Sequence, residues 1–308
     1  MLLPLIFFSK DAFAIPKPAE VRGIYITGET ASRTSRFEEL VNEVDKNPLN
    51  AVVIDVKENN GIFYKKYNLQ EIVKQLHEKN IYVIARQVVF KDSILAKSKP
   101  TLMLRSREGV FANPVNEQVR NYNIDIALDV VKTGIDEIQF DYIRFPDDYH
   151  GVSNAKKIEA INTFLSEAKE AIKKQNPNIK ISADVFGYVA WTPDIGIGQK
   201  LEDIAKYVDI ICPMAYPSHY SYEHRKLGEY KVIEITSKTA IERLKKAKSN
   251  AEIRPWIQGF KWRANLNNQY ILNQVKAIRD TSCTGFMIWN AENVYTIPFN
   301  AVKNLNDK

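Results

Sequence analysis

Glu137, Gln139 and Asp141 recur at alternate positions in the stretch Asp136-Glu137-Ile138-Gln139-Phe140-Asp141-Tyr142-Ile143-Arg144-Phe145-Pro146, with Ile138, Phe140 and Tyr142 between them. That alternation is a β-strand with one apolar face and one face of amide and carboxyl groups. Pro146 removes a backbone donor and closes the strand, which leaves Asp141 and Arg144 at its exit. Strand exits are where parallel α/β proteins bind ligands. The structural alternative is an exposed edge strand, or an Asp141–Arg144 ion pair that only fixes the loop.

Other apolar runs end in the same manner. Val53-Ile54-Asp55-Val56-Lys57-Glu58 puts Asp55 and Lys57 on one face, so Lys57 can neutralise Asp55. Ser182-Ala183-Asp184-Val185-Phe186 ends near Asp184, for which pairing with Arg144 or Lys57 is the structural alternative. Met214-Ala215-Tyr216-Pro217, then Trp256 and Gln258, then Trp289, Asn290 and Glu292 complete the set. Acids, amides and large aromatics suit a sugar, whose CH faces stack on rings and whose hydroxyls need polar partners. Glycoside hydrolysis needs two carboxyls, one protonated and one ionised. Asp141 and Asp184 belong to successive runs; on neighbouring strands ~4.8 Å apart, their carboxyls are expected ~5–7 Å apart, nearer the retaining range.

Other chemistries find less support. His77, His150, His219 and His224 are the whole histidine complement and form no HxxxH or HExxH pattern, so neither a metal nor an organic cofactor is expected. His77 reads as a helix-surface residue, and His219 and His224 fall in the loop after the sixth run. There is no Gly-x-Ser-x-Gly elbow and no Cys–His nucleophile signal.

The elements that must position these residues alternate from end to end. Strands are expected at 21–27, 51–57, 81–88, 137–143, 180–186, 208–214, 254–260 and 285–290. Helical patterns are expected at 36–46, 69–79, 119–132, 155–175, 201–206, 236–248 and 268–280, with a last short one after Pro298. Ser35 is expected to cap the first helix and Pro177 to stop the long fourth one. Eight β-then-α units without a composition break point to one closed (β/α)8 TIM barrel over residues 15–308. A doubly wound sheet would want a Gly-rich phosphate loop after its first strand, and Gly23-Ile24-Tyr25-Ile26-Thr27-Gly28 does not give one. The segment from Phe90 to Glu117 reads as a long irregular loop that shapes the cleft.

The 308 residues are 45% hydrophobic and 26% charged, values of a soluble globular chain. The net charge of +6 is spread over helix faces, which is compatible with adhesion to an anionic wall and gives no nucleic-acid motif. Leu2–Phe8 is apolar and Ala12-Phe13-Ala14 matches an A-x-A cleavage site, so residues 1–14 are expected to be a signal peptide cut before Ile15. Nothing later approaches the ~20 apolar residues of a membrane span. Cys212 and Cys283 read as small thiols packed inside the fold rather than a disulfide.

The motifs resemble a bacterial family of TIM-barrel glycoside hydrolases long known only as a domain of unknown function. The matching stretches are Val21–Tyr25, Ala51–Lys57, Asp136–Pro146, Ile181–Gly187, Val208–Pro217 and Gly285–Asn290. More distantly, Met214-x-Tyr216 and Gly285–Trp289 are similar to the sixth and eighth strands of chitinase-like barrels, where the tyrosine and tryptophan line a sugar subsite. Those enzymes carry a glutamate two places past an aspartate on strand four, and Ile143 stands there in this chain. The α-amylase-like clan, with carboxylates on strands four and five, is the better analogy for Asp141 and Asp184.

Together these observations predict an exported glycoside hydrolase acting on a polysaccharide, with a cell-envelope glycan as one candidate. Asp141 is expected as nucleophile and Asp184 as acid/base, with exchange of the two roles left open. Asp55, Lys57, Arg144, Tyr216, Gln258, Trp289 and Glu292 are expected to bind the sugar. A non-catalytic glycan-binding barrel and a transglycosylase are the alternatives.

Overall fold

Eight parallel strands and eight helices alternate in the computed structural model, which describes residues 15–305. In chain order they are β1 (Val21–Ile26), α1 (Thr34–Lys46), β2 (Ala51–Glu58), α2 (Leu69–Glu78), β3 (Tyr82–Val88), α3 (Glu117–Val131), β4 (Glu137–Asp141) and α4 (Asn154–Gln175). There follow β5 (Lys180–Phe186), α5 (Leu201–Ile204), β6 (Ile210–Met214), α6 (Gly228–Lys246), β7 (Trp256–Gln258), α7 (Asn268–Arg279), β8 (Gly285–Trp289) and α8 (Thr296–Val302). Each strand pairs with the next, and β8 pairs in parallel with β1, Val21 opposite Gly285 and Ile24 opposite Ile288. The sheet is closed, and the expected TIM barrel is the fold. The expected signal peptide, residues 1–14, lies outside the described residues.

Closure sets one strict demand. Gly285 has φ +115°, and a Cβ there would fall 1.9 Å from the Val21 carbonyl oxygen, so the β1–β8 seam admits only glycine at its start.

Helix faces follow their sequence period. In α1, Phe37, Leu40, Val41 and Val44 are buried, the i, i+3, i+4, i+7 stripe, each contributing about 1.5–3 kcal/mol of apolar burial. That helix begins at Thr34 after Arg33, which offers no side-chain cap, so Ser35 lies inside the first turn and is not its cap. The long α4 ends at Gln175, just before Asn176-Pro177, because the residue ahead of proline is driven out of helical conformation. Helix α6 starts eight residues earlier than its pattern suggests. Thr236, which reads as a helix start, sits inside it, with its hydroxyl bonded to the Val232 carbonyl at 2.7 Å.

Outward strand residues such as Val52, Val83, Ile138 and Phe140 pack under the helices. The barrel interior holds a separate cluster that includes Tyr25, Val53, Tyr82, Ile84, Cys212, Trp256 and Met287. The polar face of β4 climbs through this interior. Glu137 is paired with Arg254 near the base, Gln139 donates to Cys212 Sγ at 3.4 Å, and Asp141 reaches the top. Cys212 and Cys283 are free, Cys212 buried on β6 and Cys283 half-buried in the segment before β8.

The segment between β3 and α3 is more ordered than its sequence suggests. It contains a helix at Ser93–Ser98 and an antiparallel ribbon, Met103–Leu104 with Phe111–Ala112. Among the described residues no helix is long and apolar enough to cross a membrane.

Candidate active site

Arg86 is the hub of the barrel's upper end. It lies on β3, 4% exposed, and is placed inward by the alternation that sends Ala85 and Gln87 outward. Its Nη1 donates to Asp55 Oδ1 at 2.5 Å. Nε donates to Asp141 Oδ2 at 3.1 Å, Nη2 binds the same oxygen, and Nε stands 3.8 Å from Asp184 Oδ2. Three carboxyls from β2, β4 and β5 thus surround one guanidinium. Burial opposes its charge, yet Asp55 and Asp141 together raise its pKa, so the cation is fixed.

Each carboxyl has a second partner. Tyr25 donates its hydroxyl to Asp55 Oδ2. The Trp256 indole donates to Asp184 Oδ1 at 2.7 Å. The Tyr142 amide donates to Asp141 Oδ1 at 2.5 Å, with Tyr142 itself at φ 52°. That left-handed conformation costs an aromatic residue roughly 1–3 kcal/mol, and it turns the chain sharply just after Asp141.

Asp141 and Asp184 face a cavity of about 550 Å³ together with Arg86. Its walls include Phe186, Tyr188, Tyr216, Trp256 and Trp289. Gly187 is another wall residue, and a Cβ there would approach the Tyr220 hydroxyl to 2.1 Å. Trp289 stacks on Tyr25 at 3.9 Å between ring centroids and meets Trp256 edge-on at 5.5 Å. The aromatic floor is therefore rigid, and it holds Asp184 through the Trp256 indole.

Burial dominates the electrostatics of Asp184 and Asp55. Burial, and then the neighbouring charge of Asp141, push the Asp184 carboxyl well above the usual carboxylate range. Asp55 is pushed up to about 7, by burial above all, with Arg86 opposing. Burial likewise raises the Tyr216 hydroxyl, reinforced by Asp184 and Asp141, so it stays a neutral donor.

The other expected sugar contacts divide. Tyr216, Trp289 and Arg144 line the cavity with the acids. Arg144 does not pair with Asp141 or Asp184. Its guanidinium binds Glu108 at 3.0 Å and Asp147 at 3.3 Å, which ties the tip of the β3–α3 ribbon to the loop after β4.

Asp55 is fully buried beneath Arg86 and does not line the cavity, so it supports the arginine rather than a sugar. Lys57 is not beside Asp55. The β2–β3 register shifts between Asp55 and Lys57, and this bulge sends Lys57 to Asp92 at 2.9 Å and the Val88 carbonyl at 2.6 Å. Lys57 is therefore a buried structural cation away from the site.

Gln258 is buried as well. It receives the Ser218 amide at 3.1 Å and donates to the Phe260 and Trp262 carbonyls at 3.0 Å, so it binds loops together. Glu292 is exposed and lines a second, open groove with Phe260, Lys261, Trp262 and Ile297. His219 and Trp289 border both the cavity and this groove, which makes them continuous. Trp262 presents its ring there at 50% exposure.

Arg86 and Tyr25 are the site residues that sequence reasoning missed. The signal for Arg86 was available: a single cation inside the apolar run Tyr82–Val88. Among the described residues no group of three His, Cys, Asp or Glu side chains could hold a metal ion.

A family model described as "putative glycosyl hydrolase domain" matches residues 23–295 of the chain. A search of curated proteins finds no match. Among solved structures, the barrel is similar to the glycoside hydrolase domain of PgaB (BpsB) from Bordetella bronchiseptica, with TM-score 0.74 and 13% identity over 94% of this chain and 100% of that one. It is also similar to the glycoside hydrolase domain of PelA from Pseudomonas aeruginosa, with TM-score 0.58 and 12% identity over 90% of this chain and 97% of that one. The spore cortex-lytic enzyme SleL of Bacillus megaterium QM B1551 gives TM-score 0.58 and 12% identity, over 93% of this chain and 75% of that one. At such identities the likeness is one of fold.

Proposed function

This chain belongs to that glycosyl hydrolase domain family, and on this premise we propose that it is an exported glycosidase that cleaves a polysaccharide with Asp141 and Asp184. One observation carries the reading: two carboxyls meet at the floor of an aromatic cavity and share a single guanidinium unequally. Asp184, with its raised pKa, is suited to hold a proton and give it to the leaving oxygen. Asp141 is suited to attack the anomeric carbon and form a glycosyl ester through Oδ1, which accepts only the Tyr142 amide and keeps a free lone pair. Asp184, now ionised, then takes a proton from the water that hydrolyses the ester, and the starting state returns.

The separation supports retention of configuration. Arg86 Nε lies 3.1 Å from Asp141 Oδ2 and 3.8 Å from Asp184 Oδ2, so those oxygens are within about 7 Å of each other. The groove beyond His219 and Trp289 supports a chain-like substrate, because exposed Trp262 and Glu292 extend the surface past the carboxyl pair. The likeness to SleL, a spore cortex-lytic enzyme, and the apolar leader ending in Ala12-Phe13-Ala14 support an envelope glycan and export.

The test is release of reducing ends from a panel of purified bacterial envelope polysaccharides. Asp141→Asn and Asp184→Asn are each expected to abolish release while leaving circular dichroism and melting temperature near wild type. Wild-type activity in either variant removes that residue from the mechanism. Binding to the same polymers by the wild type, with no new reducing ends, replaces hydrolysis with glycan binding.

A further inference from the structure

We propose that removal of the leader before Ile15 creates an ion pair between the new α-ammonium of Ile15 and Asp136. The cleavage half rests on the export reading above; the ion pair rests on geometry.

The Ile15 nitrogen already donates to Asp136 Oδ1 at 3.2 Å. Asp136 precedes β4 at the barrel's lower end, far along the strand from Asp141, and its side chain is 2% exposed. Its other oxygen is taken by the Val83 amide at 2.8 Å and by His77 Nε2 at 2.9 Å, so His77 is a partner of this carboxylate and not a free surface residue. The Asp136 main chain is fixed on both sides: its amide donates to the Val83 carbonyl and its carbonyl receives the Lys180 amide, each at 3.1 Å. The Val83 amide and His77 hold the carboxylate on this fixed backbone.

Ile15 is anchored by its side chain too. It packs against the interior cluster that contains Val21, Tyr82 and Ile210, and closes the floor of the barrel. Two residues on, Lys17 is bound to Glu252 at 2.8 Å. The segment entering the fold is thus held at the atom where the A-x-A pattern Ala12-Phe13-Ala14 places the cut.

Hydrolysis changes the chemistry of one nitrogen. Water adds across the peptide bond, Ala14 leaves as a carboxylate, and the Ile15 amide becomes an amine that is protonated at neutral pH. A neutral one-proton donor becomes a cation with three, beside a buried acceptor, and charge-assisted hydrogen bonds are the stronger kind. The titratable groups near Asp136 are His77 from α2 and the neutral Tyr82 hydroxyl, with the Glu137–Arg254 pair inside the barrel and the Lys17–Glu252 pair two residues on from Ile15. Glu137 is already neutralised by Arg254, and Glu252 by Lys17. Asp136, whose His77 partner carries charge only when protonated, is the carboxylate within reach of the new charge.

The experiment compares three forms: the full chain, the chain beginning at Ile15 with a free amine, and the same chain with that amine acetylated. At pH 6–7 the free-amine form is expected to melt about 1–4 °C above the acetylated one. Its α-amine is expected to titrate above the ordinary ~8, so the advantage is present below that value and lost as pH rises through the raised one. Asp136→Asn removes the advantage. Equal melting of free and acetylated forms overturns the ion pair, whatever the protein's activity. N-terminal sequencing of the chain exported by a bacterial host tests the cut: a first residue of Ile15 supports it, and another first residue overturns it. A chain retained uncut counts against the export reading instead.

Discussion

Arg86 Nε stands 3.1 Å from Asp141 but 3.8 Å from Asp184, although both carboxyls face the same cavity. A second arginine nitrogen also binds Asp141, whereas the remaining Asp184 partner is the neutral Trp256 indole. The asymmetry lets burial and the charge of Asp141 lift the Asp184 pKa, which favours the proposed role of Asp184 as the acid.

If Asp184 supplies the proton, Asp184→Asn should matter least where the leaving group needs none. The expected loss is about 10²–10⁴-fold on polysaccharide and much smaller on an aryl glycoside with an acidic phenol. Asp141→Asn should fail on both. Equal losses on the two substrates in Asp184→Asn would assign the proton elsewhere.

Removing Arg86 leaves three buried carboxyls without their common cation. Arg86→Met is expected to cost roughly 3–5 kcal/mol, the usual penalty for stranding a buried charge, read from urea denaturation. A change below 1 kcal/mol would mean that the carboxyls are protonated or solvated without it.

Asp55 makes stability pH-dependent in a defined direction. Its folded pKa, about 7, lies above the ordinary 3.8, so the unfolded chain ionises first as pH rises. Its stabilisation is full below about pH 4 and lost progressively up to about pH 7. Melting temperatures of wild type and Asp55→Asn, measured from pH 4 to 8, should therefore diverge across that window and run parallel above it. A constant difference would place the Asp55 pKa near its ordinary value.

Trp262 offers an exposed ring in the groove and touches neither cavity carboxyl. Trp262→Ala should raise KM for polymer about 2–13-fold, as the loss of about 0.5–1.5 kcal/mol of stacking predicts, with little change in kcat for a short aryl glycoside. Equal effects on long and short substrates would remove the groove from substrate binding.

Much of this arrangement was readable in the residues themselves. Period-two alternation placed Asp141 on the inner face of β4, and short apolar runs with helical intervals gave all eight strands. Lys57 was misplaced because a one-residue bulge reverses every side chain after it, and nothing in Asp55-Val56-Lys57 announces one. Arg86 was missed for a different reason. Its role comes from three partners at positions 55, 141 and 184, a relation that exists only once the strands are neighbours. Gln258 and Glu292 have suitable chemistry for a sugar, but loop packing assigned one to carbonyls and the other to the neighbouring groove.

The Val21–Gly285 seam also bears on how the polypeptide reaches this state. The first strand waits for the last across more than 260 positions, so no ribosome-bound fragment short of β8 has a complete hydrogen-bonded ring. An Ala at 285 should accordingly show itself less as weak catalysis than as slow, aggregation-prone refolding, because it obstructs the step that joins the two ends.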